Sequence, residues 1–248
     1  MIFSKLHKFI FIKGRKVAGT STEIALSTIC GPDDILTPIG QSDELLRVER
    51  GAEAQNYSGD RDLERAFIEQ LKVAQPRKLS KIRPPEGPFG NHMPLTRVLE
   101  LCGDVRGEYR IVAVDRNPYS KVLSLANMQA ATGYKETGVM VSTPEALKAA
   151  INDLFDSGSI KKLVNIKKYR DADGNLAAEI MRYENLAEDF AAFMAKLGIE
   201  NPPTLPHAKK GLLSDQIDPR NHFTDNQISR INSLFAEEFA EYNYPRLD

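Results

Sequence analysis

Residues 9–29 read FIFIKGRKVAGTSTEIALSTI, and this stretch sets the fold class. Phe9–Ile12 is an uninterrupted apolar run of aromatic and β-branched residues flanked by Lys8 and Lys13, the pattern of a strand buried on both faces of a parallel sheet. Lys13–Gly19 supplies a glycine-bounded turn. From Thr20 the periodicity becomes helical, with Ile24, Ala25 and Ile29 on one face and Gly31-Pro32 as the expected stop. Strand, glycine loop and helix in that order form the first half of a β-α-β unit.

The same order recurs further along. Tyr109–Val114 (YRIVAV) predicts a second strand ending at Asp115, after which Asn117 caps and Pro118 opens a helix. Pro94 and Gly103 punctuate the helix before that strand, and Thr143-Pro144-Glu145 opens a further helix in the same way as Asn117-Pro118. Arg61–Val73 predicts a mostly polar helix and Asn185–Leu197 another, ended by Gly198. Thr224–Gln227 is a capping box for a last helix. Leu163–Arg170 and Leu176–Tyr183 around Asp171–Asn175 predict a β-hairpin. Residues 31–60 are expected to be irregular, and Gln75–Gly90, with four prolines and the cations Arg77, Lys78, Lys81 and Arg83, to be a long surface loop. Strands alternating with helices indicate a single α/β domain over residues 1–248, with helices flanking a mostly parallel central sheet.

The 248 residues suit one such domain. At 42% hydrophobic and 27% charged residues, with a formal net charge of −1, the chain can build a core, and no global charge points to nucleic acid or a membrane as partner. Cys30 and Cys102 lack metal-ligand spacing and read as free, partly buried thiols, which fits a reducing, cytoplasmic setting. The apolar part of the first twelve residues is only about four residues long. That is below the roughly 7–15 of a signal-peptide core and the roughly 20 of a membrane span, so a soluble, unexported chain is expected.

Gly14-Arg-Lys-Val-Ala-Gly-Thr-Ser21 has the ingredients of an anion cradle, in which backbone N–H groups and a helix N-terminus point at a phosphate. A P-loop for nucleoside triphosphates puts its lysine directly after the second glycine. Gly14 and Gly19 keep the required separation, but Thr20 fills the lysine position and Lys16 lies inside the loop. This departure counts against a nucleoside triphosphatase.

Lys16-Val-Ala-Gly-Thr-Ser21, directly after a strand, is similar to the 5′-phosphosulfate loop of sulfotransferases that use 3′-phosphoadenosine 5′-phosphosulfate (PAPS). Arg116-Asn-Pro-Tyr-Ser-Lys-Val-Leu-Ser124, again after a strand, resembles that family's 3′-phosphate motif, R-N/D-P-x-x-R-x-x-S, with Lys121 in place of the second arginine. The fork of Arg116 suits a phosphate, and Ser124, about two turns into the helix, returns toward it. Arg182-Tyr-Glu-Asn-Leu186 is similar to the family's R-Y-E-D-L segment, which would set Tyr183 near the adenine. Lys209-Lys-Gly211 and Asn221-His-Phe-Thr224 resemble its late basic loop and the start of its final helix. The chain looks closest to the branch that modifies carbohydrates, with residues 31–90 unmatched.

The resemblance implies a three-layer P-loop-like fold, PAPS as donor, adenosine 3′,5′-bisphosphate as product, and no metal. Carried over by position, Arg15, Lys16, Ala18, Gly19, Thr20, Ser21 and Thr22 would serve the 5′ end, Arg116 and Ser124 the 3′-phosphate, and Tyr183, Lys209 and Lys210 the rest of the nucleotide. Sulfuryl transfer is an in-line displacement in which charge develops on the bridging oxygen, and Lys16 is the residue expected to neutralise it.

The acceptor hydroxyl must also lose a proton, a task suited to histidine. His92, in Gly90-Asn-His-Met-Pro94, matches an H-x-P stretch that supplies a catalytic histidine in several family members. Some relatives use glutamate, so Glu23 or a residue of the unmatched stretch is the alternative base. His7 is expected at a strand edge, and His207 and His222 to be structural or beside the nucleotide. The acceptor, a carbohydrate or small alcohol, is expected to meet the acceptor-side insertion 31–90, where Arg77–Arg83 would suit an anion. Two other readings are a P-loop small-molecule kinase, using Gly14–Ser21 and Asp115 with ATP and Mg²⁺, and a non-catalytic nucleotide-binding protein.

Overall fold

The computed structural model describes residues 1–131, 143–206 and 218–248. Strands β1 (Ile2–Ser4), β2 (Phe9–Ile12), β3 (Ile35–Leu36), β4 (Arg110–Asp115) and β5 (Glu179–Arg182) form one sheet in the order β3-β1-β2-β4-β5. The helices are α1 (Gly19–Ser27), α2 (Gln41–Glu49), α3 (Arg61–Val73), α4 (Leu95–Cys102), α5 (Pro118–Ala130), α6 (Pro144–Asp156), α7 (Ile166–Tyr169), α8 (Leu186–Lys196), α9 (Asp225–Leu234) and α10 (Ala236–Glu241).

The sheet is mixed. β2 pairs β4 and β4 pairs β5 in parallel, whereas β1 runs antiparallel to both β2 and β3. The expected mostly parallel sheet therefore has a parallel centre with an antiparallel hairpin on one flank. The Lys5–Lys8 link is too short for the crossover that parallel neighbours need. Asp34 fixes this turn by accepting the N–H groups of Lys5 (2.7 Å) and Leu6 (3.1 Å) and the Ser4 hydroxyl (2.8 Å). His7 lies within the turn rather than at a strand edge, its Nε2 2.9 Å from the Ile29 carbonyl.

The period of two along each strand divides the core. Phe9, Phe11, Val112, Val114 and Met181 pack with Ala25 and Leu26 of α1 and Phe190, Phe193 and Met194 of α8. Ile10, Ile12, Ile111 and Ala113 pack on the other side with Leu95 and Val98 of α4 and with Tyr169. The sheet is thus covered on both faces. A further core joins Tyr119, Val122 and Leu123 of α5 to Leu147, Ile151 and Leu154 of α6 and Ile228 and Ile231 of α9.

Local signals hold at most helix ends. The Asn117 side chain accepts from the N–H groups of Tyr119 and Ser120, that of Thr143 from Ala146, and Thr224 with Gln227 forms the full capping box. Gly103 (φ 82°) and Gly198 (φ 74°) take the positive φ that suits a helix stop. Four expectations are corrected. Residues 31–60 hold β3 and α2, because Glu44 and Arg47 are buried partners rather than loop residues. The proposed hairpin is reduced to an isolated Arg170–Leu176 bridge, since Ile166–Tyr169 is helical and β5 pairs with β4 instead. Helix α1 stops at Ser27, short of Gly31-Pro32, and the C-terminal helix breaks at Phe235 into α9 and α10. Among the described residues no helix is long and apolar enough to cross a membrane.

Candidate nucleotide site

Three neighbouring parallel strands, β2, β4 and β5, deliver their following segments to one end of the sheet. The carboxyl ends of parallel strands are where open α/β sheets collect ligands. Here those segments are the Lys13–Gly19 loop, Arg116 and Tyr183. Together with Ser124 on α5 they line one cavity of about 860 Å³. This lies within the roughly 300–1,000 Å³ typical of small-molecule and cofactor sites.

The loop is shaped from inside. Val17 is fully buried among Phe9, Phe11 and Ala25, so it anchors the loop to the core. On either side of it, Lys16 (φ 61°) and Ala18 (φ 60°) are left-handed and face the cavity. Such alternation is the backbone signature of an anion nest. Of the six described non-glycine residues with positive φ, three (Lys16, Ala18 and His92) line this one cavity. Each costs of order 1–3 kcal/mol, so strain is concentrated at the cavity. Gly14 is fixed by crowding: a Cβ there would lie 2.1 Å from the Tyr169 hydroxyl and 3.0 Å from Asn165 Cγ.

Helix α1 begins at Gly19, and the N–H groups of Gly19, Thr20 and Ser21 lie in the first turn, where no intrahelical acceptor exists. All three residues line the cavity. Thr22 does not. Its N–H and its hydroxyl both donate to the Ala18 carbonyl, at 3.2 and 3.3 Å. Lys16 Nζ reaches Met128 Sδ, another cavity residue, at 3.5 Å, and Arg15, which also lines the cavity, is exposed.

Arg116 is nearly buried, with its guanidinium carbon 3.9 Å from the Tyr183 ring centre. Asp115 and Lys121 do not line the cavity. Both are fully buried, Lys121 Nζ donating to Asp115 Oδ1 at 2.7 Å and pairing with Glu238. Burial pushes the Asp115 carboxyl above its usual range, and Glu238 adds to this against the pull of Lys121. The second basic residue of the Arg116 motif is therefore an interior counter-ion.

His92 lines the cavity beside the loop. Its Nδ1 lies 3.1 Å from the Lys13 carbonyl, which can only accept, so Nδ1 carries the proton and Nε2 keeps its lone pair. Burial pushes its pKa down to about 4, helped by the charges of Lys13 and Arg15 and opposed by the bond to Lys13. The ring is a neutral, oriented base near neutral pH. Glu23 is not available for that role. It is fully buried, with Oε2 2.8 Å from Lys13 Nζ and Oε1 2.6 Å from the Met1 amino group. Burial alone would raise its carboxyl, but Lys13, that amino group and Arg47 override this and hold it well below the usual carboxylate range.

Lys209, Lys210 and His207 lie outside the described residues. His222 ends a short turn before α9 and does not line the cavity. From residues 31–90 only Gly40 and Asp43 reach it, while the Arg77–Arg83 cluster lies elsewhere, on an exposed 3₁₀ turn at Pro76–Lys81 and the segment after it. Sequence reading missed Lys13, Asn91, Met128 and Lys162, which line the cavity, and Asn165, which holds the loop. Asn91 Oδ1 is buried without a hydrogen-bond partner among the described residues. No family model, no curated protein and no solved structure matches this chain.

Proposed function

We propose that this chain is a sulfotransferase that transfers a sulfuryl group from PAPS to a hydroxyl of a carbohydrate or small alcohol. The supporting observation is that the Lys16 loop and the Arg116–Ser124 pair, about a hundred residues apart in sequence, line a single cavity with Tyr183 between strand ends. One adenosine nucleotide phosphorylated at both its 3′ and 5′ positions would occupy both places.

The donor supplies the activated sulfuryl group. In this reading the first-turn N–H groups of α1 and the Thr20 and Ser21 hydroxyls hold the 5′ end, and Lys16 offsets the charge that develops on the leaving oxygen. Arg116 and Ser124 hold the 3′-phosphate, and Tyr183 packs near the base. His92 Nε2 accepts the proton of the attacking hydroxyl as the new oxygen–sulfur bond forms and the bond to the 5′-phosphate breaks. The kinase alternative draws on Asp115 as a metal ligand; its Oδ1 accepts from Lys121 and the Arg116 N–H, and the residue does not line the cavity.

Thermal unfolding with added ligand tests the proposal, because a ligand bound only by the native state raises its melting temperature by mass action. Adenosine 3′,5′-bisphosphate should protect in magnesium-free buffer. Protection by ATP with Mg²⁺ and none by the bisphosphate would favour the kinase. Protection by the bisphosphate with no sulfate transfer to any hydroxyl acceptor would leave a non-catalytic binder.

A further inference from the structure

Beside the apolar anchor Val17, the Lys16 loop is tied on its interior side by the side chain of Asn165. Asn165 is fully buried, its Oδ1 accepting the Arg15 N–H at 2.8 Å and its Nδ2 donating to the Arg15 carbonyl at 3.0 Å. The Asn165 N–H donates in turn to Glu238 Oε1 at 2.6 Å, joined there by the Ile166 N–H at 3.1 Å. Glu238 pairs through its other oxygen with Lys121, which donates to Asp115 Oδ1 at 2.7 Å. That same Asp115 oxygen accepts the Arg116 N–H at 2.6 Å. A continuous polar chain thus runs from the backbone of Arg15 to the backbone of Arg116, through Asn165, Glu238, Lys121 and Asp115, none of them exposed.

A buried ammonium between two carboxylates is a poor device for net stability, since desolvation offsets most of the attraction. It is a good device for holding two segments at a fixed separation. We propose that Asn165 is the positioning residue of the Lys16 loop, and that Glu238, Lys121 and Asp115 brace it against Arg116, so that the two anion-binding ends of the cavity are set at one distance before ligand arrives. The ligand side of this inference rests on the nucleotide reading above; the brace itself does not. Preorganisation of this kind matters because displacement of a positioning group by about 1 Å can cost about a hundredfold in rate.

The test combines amide hydrogen exchange of the ligand-free protein with calorimetric titration. In Asn165→Ala the Arg15–Gly19 amides should exchange about tenfold faster, as expected for losing one or two hydrogen bonds. Ile228→Val, a core change in α9, should leave those amides alone and so separates a local effect from general loosening. Affinity for adenosine 5′-monophosphate and for adenosine 3′,5′-bisphosphate should fall by the same factor, about tenfold. Arg116→Ala should weaken only the bisphosphate. If Asn165→Ala does not fold, Asn165→Asp replaces it, since its second oxygen would face the Arg15 carbonyl and loosen the loop likewise. Unchanged loop exchange in the folded Asn165 variant overturns the proposal, as do unchanged affinities for ligands that the wild type binds. If the wild type binds neither nucleotide, the sulfotransferase reading fails while loop exchange still decides the brace.

Discussion

The Arg116 guanidinium carbon sits 3.9 Å from the centre of the Tyr183 ring, joining the ends of the adjacent parallel strands β4 and β5. A guanidinium over an aromatic face gains a cation–π attraction, which ties the two strand ends together beside the cavity. Arg116→Ala should weaken adenosine 3′,5′-bisphosphate binding by about 1.5–3 kcal/mol, the weight of hydrogen bonds to a charged group. Arg116→Lys should recover little of it, because an ammonium neither stacks nor forks. Calorimetry with the bisphosphate and with adenosine 5′-monophosphate checks this, since only the former should respond.

Lys16 occupies a left-handed position and lines the cavity, its ammonium 3.5 Å from Met128 Sδ. Lys16→Ala should reduce the sulfate-transfer rate by about 10²–10³, the usual cost of removing one charge-stabilising donor. Its melting temperature should stay near that of the wild type. A rate within twofold of wild type would remove the role assigned to this lysine.

His92 predicts an acid limb in stability. An imidazole ordinarily titrates near 6.5, and burial pushes this one down to about 4. Between these values the unfolded chain binds a proton that the native chain does not, so native stability falls as pH drops from 6.5 toward about 4. His92→Gln should flatten that slope in urea midpoints measured across the window. The same variant should lose about 10²–10⁴ in transfer rate at neutral pH, the typical contribution of a general base.

Gly14 is required by its neighbours rather than by its own φ. A Cβ at this position would lie 2.1 Å from the Tyr169 hydroxyl, so Gly14→Ala should destabilise by about 1–3 kcal/mol, as overpacking does. Tyr169 donates that hydroxyl to the Val114 carbonyl at 3.0 Å. In a Tyr169→Phe background the Gly14→Ala penalty should shrink, and urea denaturation of the four variants measures the coupling.

The legible parts of the site were those written locally. The apolar Phe9–Ile12 run, the glycine-bounded loop and the Asn117-Pro118 cap are each decided within a few residues, and they stand where expected. The Arg116–Ser124 spacing likewise delivers both residues to the cavity. What was not legible depends on partners far off in the chain. Lys13 reads as the charged flank of a strand, yet it is buried against Glu23. Asn165 reads as a polar residue in an alternating, strand-like run, and its partner Arg15 is 150 residues away. A short helix instead sets Asn165 and Tyr169 four residues apart on one face, both against Gly14. Lys121 reads only as the lysine in place of the motif's second arginine, and the packing of α10 against α5 reveals Glu238 as its partner. Helix α2 was missed because its buried residues include the charged pair Glu44 and Arg47, which no hydrophobic period marks.

On the reading proposed above, two anion-binding places in one cavity grip the two phosphorylated ends of one nucleotide. Calorimetric titration of the wild type, without magnesium, with adenosine 3′,5′-bisphosphate and separately with each adenosine monophosphate tests it most directly. The bisphosphate should bind more tightly than either monophosphate, by roughly tenfold or more for each phosphate removed. Equal affinity for the bisphosphate and either monophosphate would contradict the claim.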